Sequence, residues 1–316
     1  MDAAQNCAPY AGTRAGTHPA DSRDAGGDGG KKIIGGGGMA EKLITCVTNN
    51  AVKQGSKFWG EHGLSFRIKI DDACMLFDTG QSETVLLHNY SLLGACPRSL
   101  AALVLSHAHY DHTGGLQTVL TQKPEIPLYA HPDIFRPRFS RRDGEYHSIG
   151  MALSQQDVSR LASLRLSAEP AEVLPGIWTT GEISVREEME GRSEHHFIAA
   201  DDGWQADPYR DDMSLVGEDS VGITVICGCC HAGLLNTLAH AVRHFQKPVT
   251  RILGGTHLLH ATPAELRHII GVLRDEYASP ELYLNHCTGD AAFVALSNAF
   301  GEKVHTFPAG ASLVVE

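Results

Sequence analysis

Four residues able to bind a metal ion, His107, His109, Asp111 and His112, fall within six positions directly after an apolar run over 100–105. A run that short, bounded by polar residues, suits a buried strand. The four side chains then occupy the loop at the strand's C-terminal end, where open α/β layers place their sites. His107 and His109 are two apart, so on an extended segment they point the same way. Asp111 and His112 follow at the turn into a helix, and Gly114 and Gly115 let that helix approach its neighbours closely. One ion can use the first pair and a second ion the other two.

Composition narrows the function. With 26 basic and 37 acidic residues the net charge is −11, which argues against a general binder of nucleic acid or membrane surfaces. Hydrophobic residues make up 42% of the 316, enough for a substantial core. No apolar run approaches the roughly 20 residues of a membrane span. Eight cysteines in a chain of this length do not read as a secreted disulfide scaffold. Cys227, Cys229 and Cys230 are too crowded to pair with one another, so a reducing cytoplasm is the expected compartment. The 18 histidines are unusual. Those outside any motif, among them His62, His88, His240, His244 and His268, read as surface or hydrogen-bonded residues.

Residues 1–38 are poor in large apolar side chains and rich in Gly, Ala and Asp. Such a segment cannot bury enough surface to offset its ordering entropy. It has neither the apolar stretch of a secretory signal nor the basic character of a transit peptide. Either Met39 is the functional start or residues 1–38 form a disordered tail, and one domain is expected over 39–316.

From there strands and helices alternate. Residues 64–70 alternate apolar and polar, and 73–77 form the hairpin partner, running into Asp78. A helix is expected over 81–93 with Val85, Leu86, His88, Leu92 and Leu93 inward, then the strand and motif above, then a helix over 114–121. Residues 126–130 form another strand. Arg136, Arg138, Arg141 and Arg142 cluster after it in an otherwise acidic chain. Charge runs are usually solvated faces; the other reading is a loop over the site that receives an anionic substrate, since guanidinium suits phosphate or carboxylate. Residues 186–212 are long, polar and aperiodic, the mark of a functional loop or lid. Strands over 221–226, 249–253 and 281–284 then each deliver a histidine at their ends: His231, His257 and His286. Thr262 to Glu265 has the form of a capping box ahead of a helix whose stripe is Leu266, Ile269, Ile270, Leu273 and Tyr277.

His-x-His-x-Asp-His after a buried strand resembles the signature of the metallo-β-lactamase superfamily. The resemblance runs from about residue 41 to the C-terminus. It implies a four-layer αββα sandwich with a one- or two-metal site at one edge of its sheets. Gly228-Cys-Cys-His-Ala-Gly, Gly254-Gly-Thr-His-Leu and Asn285-His-Cys-Thr-Gly are similar to the branch of 7,8-dihydropterin-6-methyl-4-(β-D-ribofuranosyl)-aminobenzene-5′-phosphate synthase and its ferredoxin-like relatives. Carried over residue by residue, the resemblance assigns His107, His109 and His231 to one ion and Asp111, His112 and His286 to the other. It places Asp78 just outside the coordination sphere, orienting ligands through hydrogen bonds. His109 and Asp111 are the catalytic candidates.

The chain departs from the common pattern in one respect. Most dinuclear members carry a bridging Asp between the last two histidines, and none is found here. Either His257 or a cysteine, Cys229 or Cys230, takes that place, or no side chain bridges. A second register would use the Gly-Cys-Cys-His segment as the bridging strand, with His195 or His196 as the third ligand of the first ion. The expected cofactor is one or two divalent ions, zinc first, with manganese or iron as alternatives.

Three functions follow. The first is a hydrolase using a metal-bound hydroxide on a small anionic ester, lactone or phosphoester. The second, implied by the branch, is a transferase in which an aromatic amine displaces pyrophosphate from a hydroxymethyl-dihydropterin diphosphate. The third is a non-enzymatic iron or iron–sulfur protein using Cys227, Cys229, Cys230 and Cys287, although Cys-x-Cys-Cys lacks the usual cluster spacing. The expected partner is a small, anionic substrate rather than nucleic acid or membrane, and the oligomeric state is left open.

Overall fold

Alternation along the strand Ala102–Val104 sets the layering: Leu103 packs outward under helices, while Ala102 and Val104 pack inward against a second sheet. A computed structural model describes residues 41–201 and 203–315. The expectations for residues 1–38 and for Met39 lie outside the described residues.

The first sheet has seven strands in the order Ser312–Val315, Lys42–Thr48, Ser65–Ile70, Ala73–Phe77, Ala102–Val104, Ile126–Ala130 and Ala162–Leu166. The second, also of seven, runs Val304–Thr306, Glu281–Asn285, Val249–Gly255, Ile223–Cys227, Ser214–Glu218, Ile177–Thr179 and Glu172–Leu174. Ile44, Phe66, Met75, Phe77, Leu215, Ile226 and Leu253 fill the space between the sheets. Outside the first sheet, Leu86, Tyr90, Leu116, Val119 and Val158 bring in helices Glu83–Leu92, Leu116–Gln122 and Gln155–Leu161. Outside the second, Leu234, Leu238, Leu266, Ile269, Leu273 and Leu296 do the same for Leu234–Phe245, Pro263–Asp275 and Asp290–Phe300. The result is the αββα sandwich. Among the described residues no helix is long and apolar enough to cross a membrane.

The parallel parts of the two sheets matter most for the site. Ala73–Phe77, Ala102–Val104 and Ile126–Ala130 run parallel in the first sheet. Ile223–Cys227, Val249–Gly255 and Glu281–Asn285 run parallel in the second. Their C-terminal ends lead into Asp78, Ser106-His107, Cys229 to His231, His257 and His286. Five strand ends from two sheets therefore deliver their side chains to one edge.

Helix expectations hold in place more closely than in facing. The capping box at Thr262 is formed, with Thr262 Oγ1 accepting from the backbone N–H of Glu265. In the helix Glu83–Leu92, however, Leu86, Asn89 and Tyr90 are the buried residues and Leu92 is exposed. Asn89 is drawn inward because its amide donates to the carbonyls of Val47 and Trp59 at 2.8 Å each. His88 instead stacks on Trp59.

Residues 186–212 are not one irregular loop. His196–Ala200 and Gly203–Ala206 form a hairpin that joins Phe139–Arg142 and Glu145–Ser148 in a separate four-stranded sheet. Its strands are four or five residues long and largely solvated, so no period-two pattern marks them. Aromatic packing across strands holds them instead: Tyr146 stacks on Trp204 with centroids 3.8 Å apart, and Phe139 meets the edge of Trp204 at 4.9 Å.

Candidate metal centre

The loop after Val104 descends into the sheet edge because its first polar residue is anchored. Asp78 Oδ1 accepts from the Ser106 backbone N–H at 2.7 Å, and its Oδ2 accepts from the Ser106 hydroxyl at 2.7 Å. That hydroxyl has spent its one proton, so at 2.8 Å it accepts from His107 Nδ1. His112 Nδ1 donates to Asp78 Oδ2 at 2.7 Å. His231 Nδ1 donates to the carbonyl of Gly191 at 3.0 Å, and His286 Nδ1 donates to Asn50 Oδ1 at 3.0 Å. Each of these acceptors takes the Nδ1–H, so Nε2 of His107, His231 and His286 turns a lone pair inward, and Nε2 of His112 does so once its imidazolium is deprotonated.

Those lone pairs form two groups. His107 Nε2 lies 3.1 Å from His109 Nδ1, and ligand atoms of His107, His109 and His231 all stand within 4.8 Å of one another. His231 Nε2 is buried with no hydrogen-bond partner, which is costly unless something else satisfies it. Burial, reinforced by neighbouring imidazoles, holds His107, His109 and His231 well below the usual histidine range. They are neutral, as ligands must be. In the second group His112 Nε2 is 3.2 Å from His286 Nε2, and Asp111 Oδ2 is 3.7 Å and 3.4 Å from these two nitrogens. Burial acts to raise the Asp111 carboxyl, but His112 and His286 overcome it and hold the group well below the carboxylate range. Burial likewise opposes charge on His112, yet Asp78 and Asp111 lift it to about 9 in the metal-free protein. Two three-residue sets of imidazole and carboxylate, with an orphaned nitrogen in one and clustered lone pairs in both, fit divalent ions such as zinc.

The sets open into a cavity of about 590 Å³, with His109, Asp111, His231 and His286 in its wall. Arg142, Arg192 and His196 line it from the side of the four-stranded sheet.

The sequence profile of the metallo-beta-lactamase superfamily matches residues 59–212. The chain is 30% identical over 267 residues to the 7,8-dihydropterin-6-methyl-4-(beta-D-ribofuranosyl)-aminobenzene-5′-phosphate synthase of Methanocaldococcus jannaschii, covering 81% of this chain and 90% of that one. It belongs to the metallo-β-lactamase superfamily. A second relative, the uncharacterised protein MJ0448 of the same organism, is 30% identical over 79% of this chain and 92% of its own. The crystal structure of Tm1679, described as a metal-dependent hydrolase of the β-lactamase superfamily, superposes with a TM-score of 0.72. It is 24% identical and covers 86% of this chain and 98% of that one, so it speaks to the fold.

Within this superfamily member, the six residues His107, His109, Asp111, His112, His231 and His286 are brought together, with Asp78 beneath them. Of the histidines of the alternative register, His195 is exposed beside Glu194, while His196 lines the cavity with its ring 5.1 Å from that of His109 and its Nδ1 2.7 Å from the Tyr209 hydroxyl. His257 lies beside the first set rather than between the two, its ring 4.2 Å from that of His231 and its Nδ1 3.1 Å from Cys229 Sγ.

The arginine cluster divides. Arg142 lines the cavity. Arg138, expected among the substrate-binding residues, is instead buried, ion-paired with Asp133, Asp207 and Asp211 at 3.1, 2.9 and 2.7 Å. Arg136 pairs with Asp133 at 3.0 Å, and Arg141 lies over the Tyr146 ring; neither lines the cavity. Alternation separates Arg141 from Arg142, because neighbouring residues on Phe139–Arg142 face opposite sides, while Arg138 precedes that strand and is held by its three carboxylates.

The cysteines divide as well. Cys227 and Cys230 pack in the core of the second sheet, whereas Cys229 and Cys287 meet at the site with sulfurs 3.2 Å apart. The four sulfurs proposed for a cluster do not converge among the described residues. His62, read from sequence as a surface or hydrogen-bonded residue, is exposed and stands 3.3 Å from Asp111 Oδ2. No motif surrounds it, and only the folded chain brings it there.

Proposed function

We propose that the protein is a metal-dependent hydrolase acting on a small anionic ester, lactone or phosphoester. The observation that carries this reading is the convergence of two ligand sets on one cavity that also receives Arg142 and Arg192. A divalent ion held there, zinc before manganese or iron, would supply Lewis acidity, lowering the pKa of a water to about 7 and polarising a substrate oxygen. The chain's own residues do the rest. Asp78 and Ser106 hold the imidazoles in place. Asp111, ionised and in the cavity wall, accepts a hydrogen bond from the attacking water and fixes its approach. Arg142 and Arg192 bind a phosphate or carboxylate of the substrate. A cavity of about 590 Å³ suits a small molecule.

The relative named as a synthase favours a second reading, a transferase of the kind described above, in which an amine takes the place of water. Metal analysis of the native protein, paired with a panel of lactones, carboxylic esters, phosphomonoesters and phosphodiesters, separates the two. Bound metal with turnover on the panel, both lost in His109→Ala, supports the hydrolase. Two equivalents of metal with no turnover anywhere on the panel overturn it in favour of the transferase.

A further inference from the structure

We propose that Cys229 is a sulfur ligand of the metal centre, standing between the two histidine sets where a carboxylate would otherwise bridge. The inference rests on the metal-dependent reading above and adds to it the identity of one ligand.

The position of the sulfur carries the proposal. Ligand atoms of Cys229, His107 and His112 lie within 4.8 Å of one another, which places the sulfur against one histidine from each set. It stands within the same distance of His231 and His257, and again of His286 and Cys287. Zinc bonds are about 2.3 Å to sulfur and about 2.0–2.1 Å to nitrogen, so sub-ångström shifts of the side chains would close such groups on an ion. His231 Nε2, buried and without a hydrogen-bond partner, belongs to one of these groups.

The surrounding chain is shaped to hold the sulfur there. A Cβ on Gly228 would meet the side chain of Ser106 at 2.4 Å, so only glycine lets the strand end pass under the residue that anchors His107. A Cβ on Gly255 would come within 2.8 Å of Cys287 Sγ, so a bare backbone there leaves room for the second sulfur. Cys287 Sγ lies 3.2 Å from Cys229 Sγ and accepts from the backbone N–H of His257 at 3.3 Å. Both thiols are free. Coordination needs the thiolate, so metal binding releases the Cys229 proton; its Sγ stands 3.1 Å from His257 Nδ1 and donates to Cys287 Sγ at 3.2 Å. Cys230, its neighbour, has φ of 59° and packs into the core. The left-handed turn there separates the two side chains, so of the adjacent pair one is structural and the other faces the ions.

Cobalt(II) tests this. The full-length protein is stripped with a chelator, reloaded with cobalt and examined by metal analysis and electronic absorption. Visible ligand-field bands report ions held by the histidine sets; a near-ultraviolet sulfur-to-cobalt charge-transfer band reports the thiolate. The wild type should show both. Cys229→Ser should lose the charge-transfer band and weaken retention of the second equivalent at least tenfold while keeping ligand-field bands. Cys229→Asp should restore two equivalents without the sulfur band. If the variants fail to fold, X-ray absorption on the zinc-loaded wild type decides, through sulfur scattering at about 2.3 Å. Cobalt bound at two equivalents with no sulfur signal, or a Cys229→Ser spectrum identical to wild type, overturns the proposal and leaves the metal reading standing. Recovery of Cys229 and Cys287 as a disulfide in the loaded protein also overturns it. A wild type that retains no cobalt overturns the metal reading itself.

Discussion

Asp78 Oδ2 stands 2.7 Å from His112 Nδ1, and the same carboxylate accepts both the backbone N–H and the hydroxyl of Ser106. One acid thus sets two imidazoles, His112 directly and His107 through the Ser106 hydroxyl. Asp78→Asn is expected to lower metal affinity roughly 10- to 100-fold, because an amide NH₂ would face one of these three donors. Asp78 has φ of 59°, a conformation asparagine also tolerates, so the variant probes the hydrogen bonds and not the backbone. Competition with a fluorescent zinc chelator measures the change; unchanged affinity would sink the orienting role.

Arg138 separates stability from substrate binding. Its guanidinium is 1% exposed, and Asp207 and Asp211 are buried with it. Removing the cation strands those carboxylates, so Arg138→Leu is expected to cost about 3–5 kcal/mol of folding stability. Arg141→Ala, on the solvated part of the strand that follows, should change stability by no more than about 0.5 kcal/mol. Urea unfolding of the two variants side by side checks the contrast.

Arg142 is the member of the cluster that lines the cavity. Arg142→Ala is expected to raise KM for an anionic substrate about tenfold, the loss of one charge-assisted hydrogen bond of about 1.5 kcal/mol, with metal content unchanged. Neutral substrates of the same size should be far less affected. Equal effects on charged and neutral substrates would remove Arg142 from the binding role.

Two glycines make opposite predictions. At Gly114 an added Cβ would collide with the carbonyl oxygen of Gln81, so Gly114→Ala should destabilise by about 1–3 kcal/mol. It should also disturb metal binding, since the metal-binding turn ends there. At Gly271, inside the helix Pro263–Asp275, an added Cβ meets nothing within 4 Å. Gly271→Ala should stabilise by about 0.5–1 kcal/mol through helix propensity alone. Thermal unfolding of the metal-free proteins distinguishes the signs.

Local pattern carried much of the fold. Period-two alternation located Ser65–Ile70, and a short apolar run located Ala102–Val104. The capping box at Thr262 and the stripe after it located Pro263–Asp275. The four-stranded sheet was hidden for a physical reason: its strands are short and largely solvated, so nothing forces alternation, and its aromatic contacts pair residues as distant as Tyr146 and Trp204.

The sequence by itself determined that His107, His109, Asp111 and His112 share one strand-end turn, because spacing of one and two residues leaves the chain little freedom. Only the tertiary structure decided what surrounds them. Cys229 and Cys287 are 58 residues apart yet 3.2 Å apart in space, and His62 reaches Asp111, 49 positions further along the chain. Arg138, just ahead of the strand Phe139–Arg142, and Arg142 at its end are four residues apart, yet they finish in a buried ion-pair cluster and a cavity wall. Such placements follow from how two sheets pack face to face and from which segments meet at their common edge. Both are set by contacts between segments far apart in the chain, which no local pattern encodes.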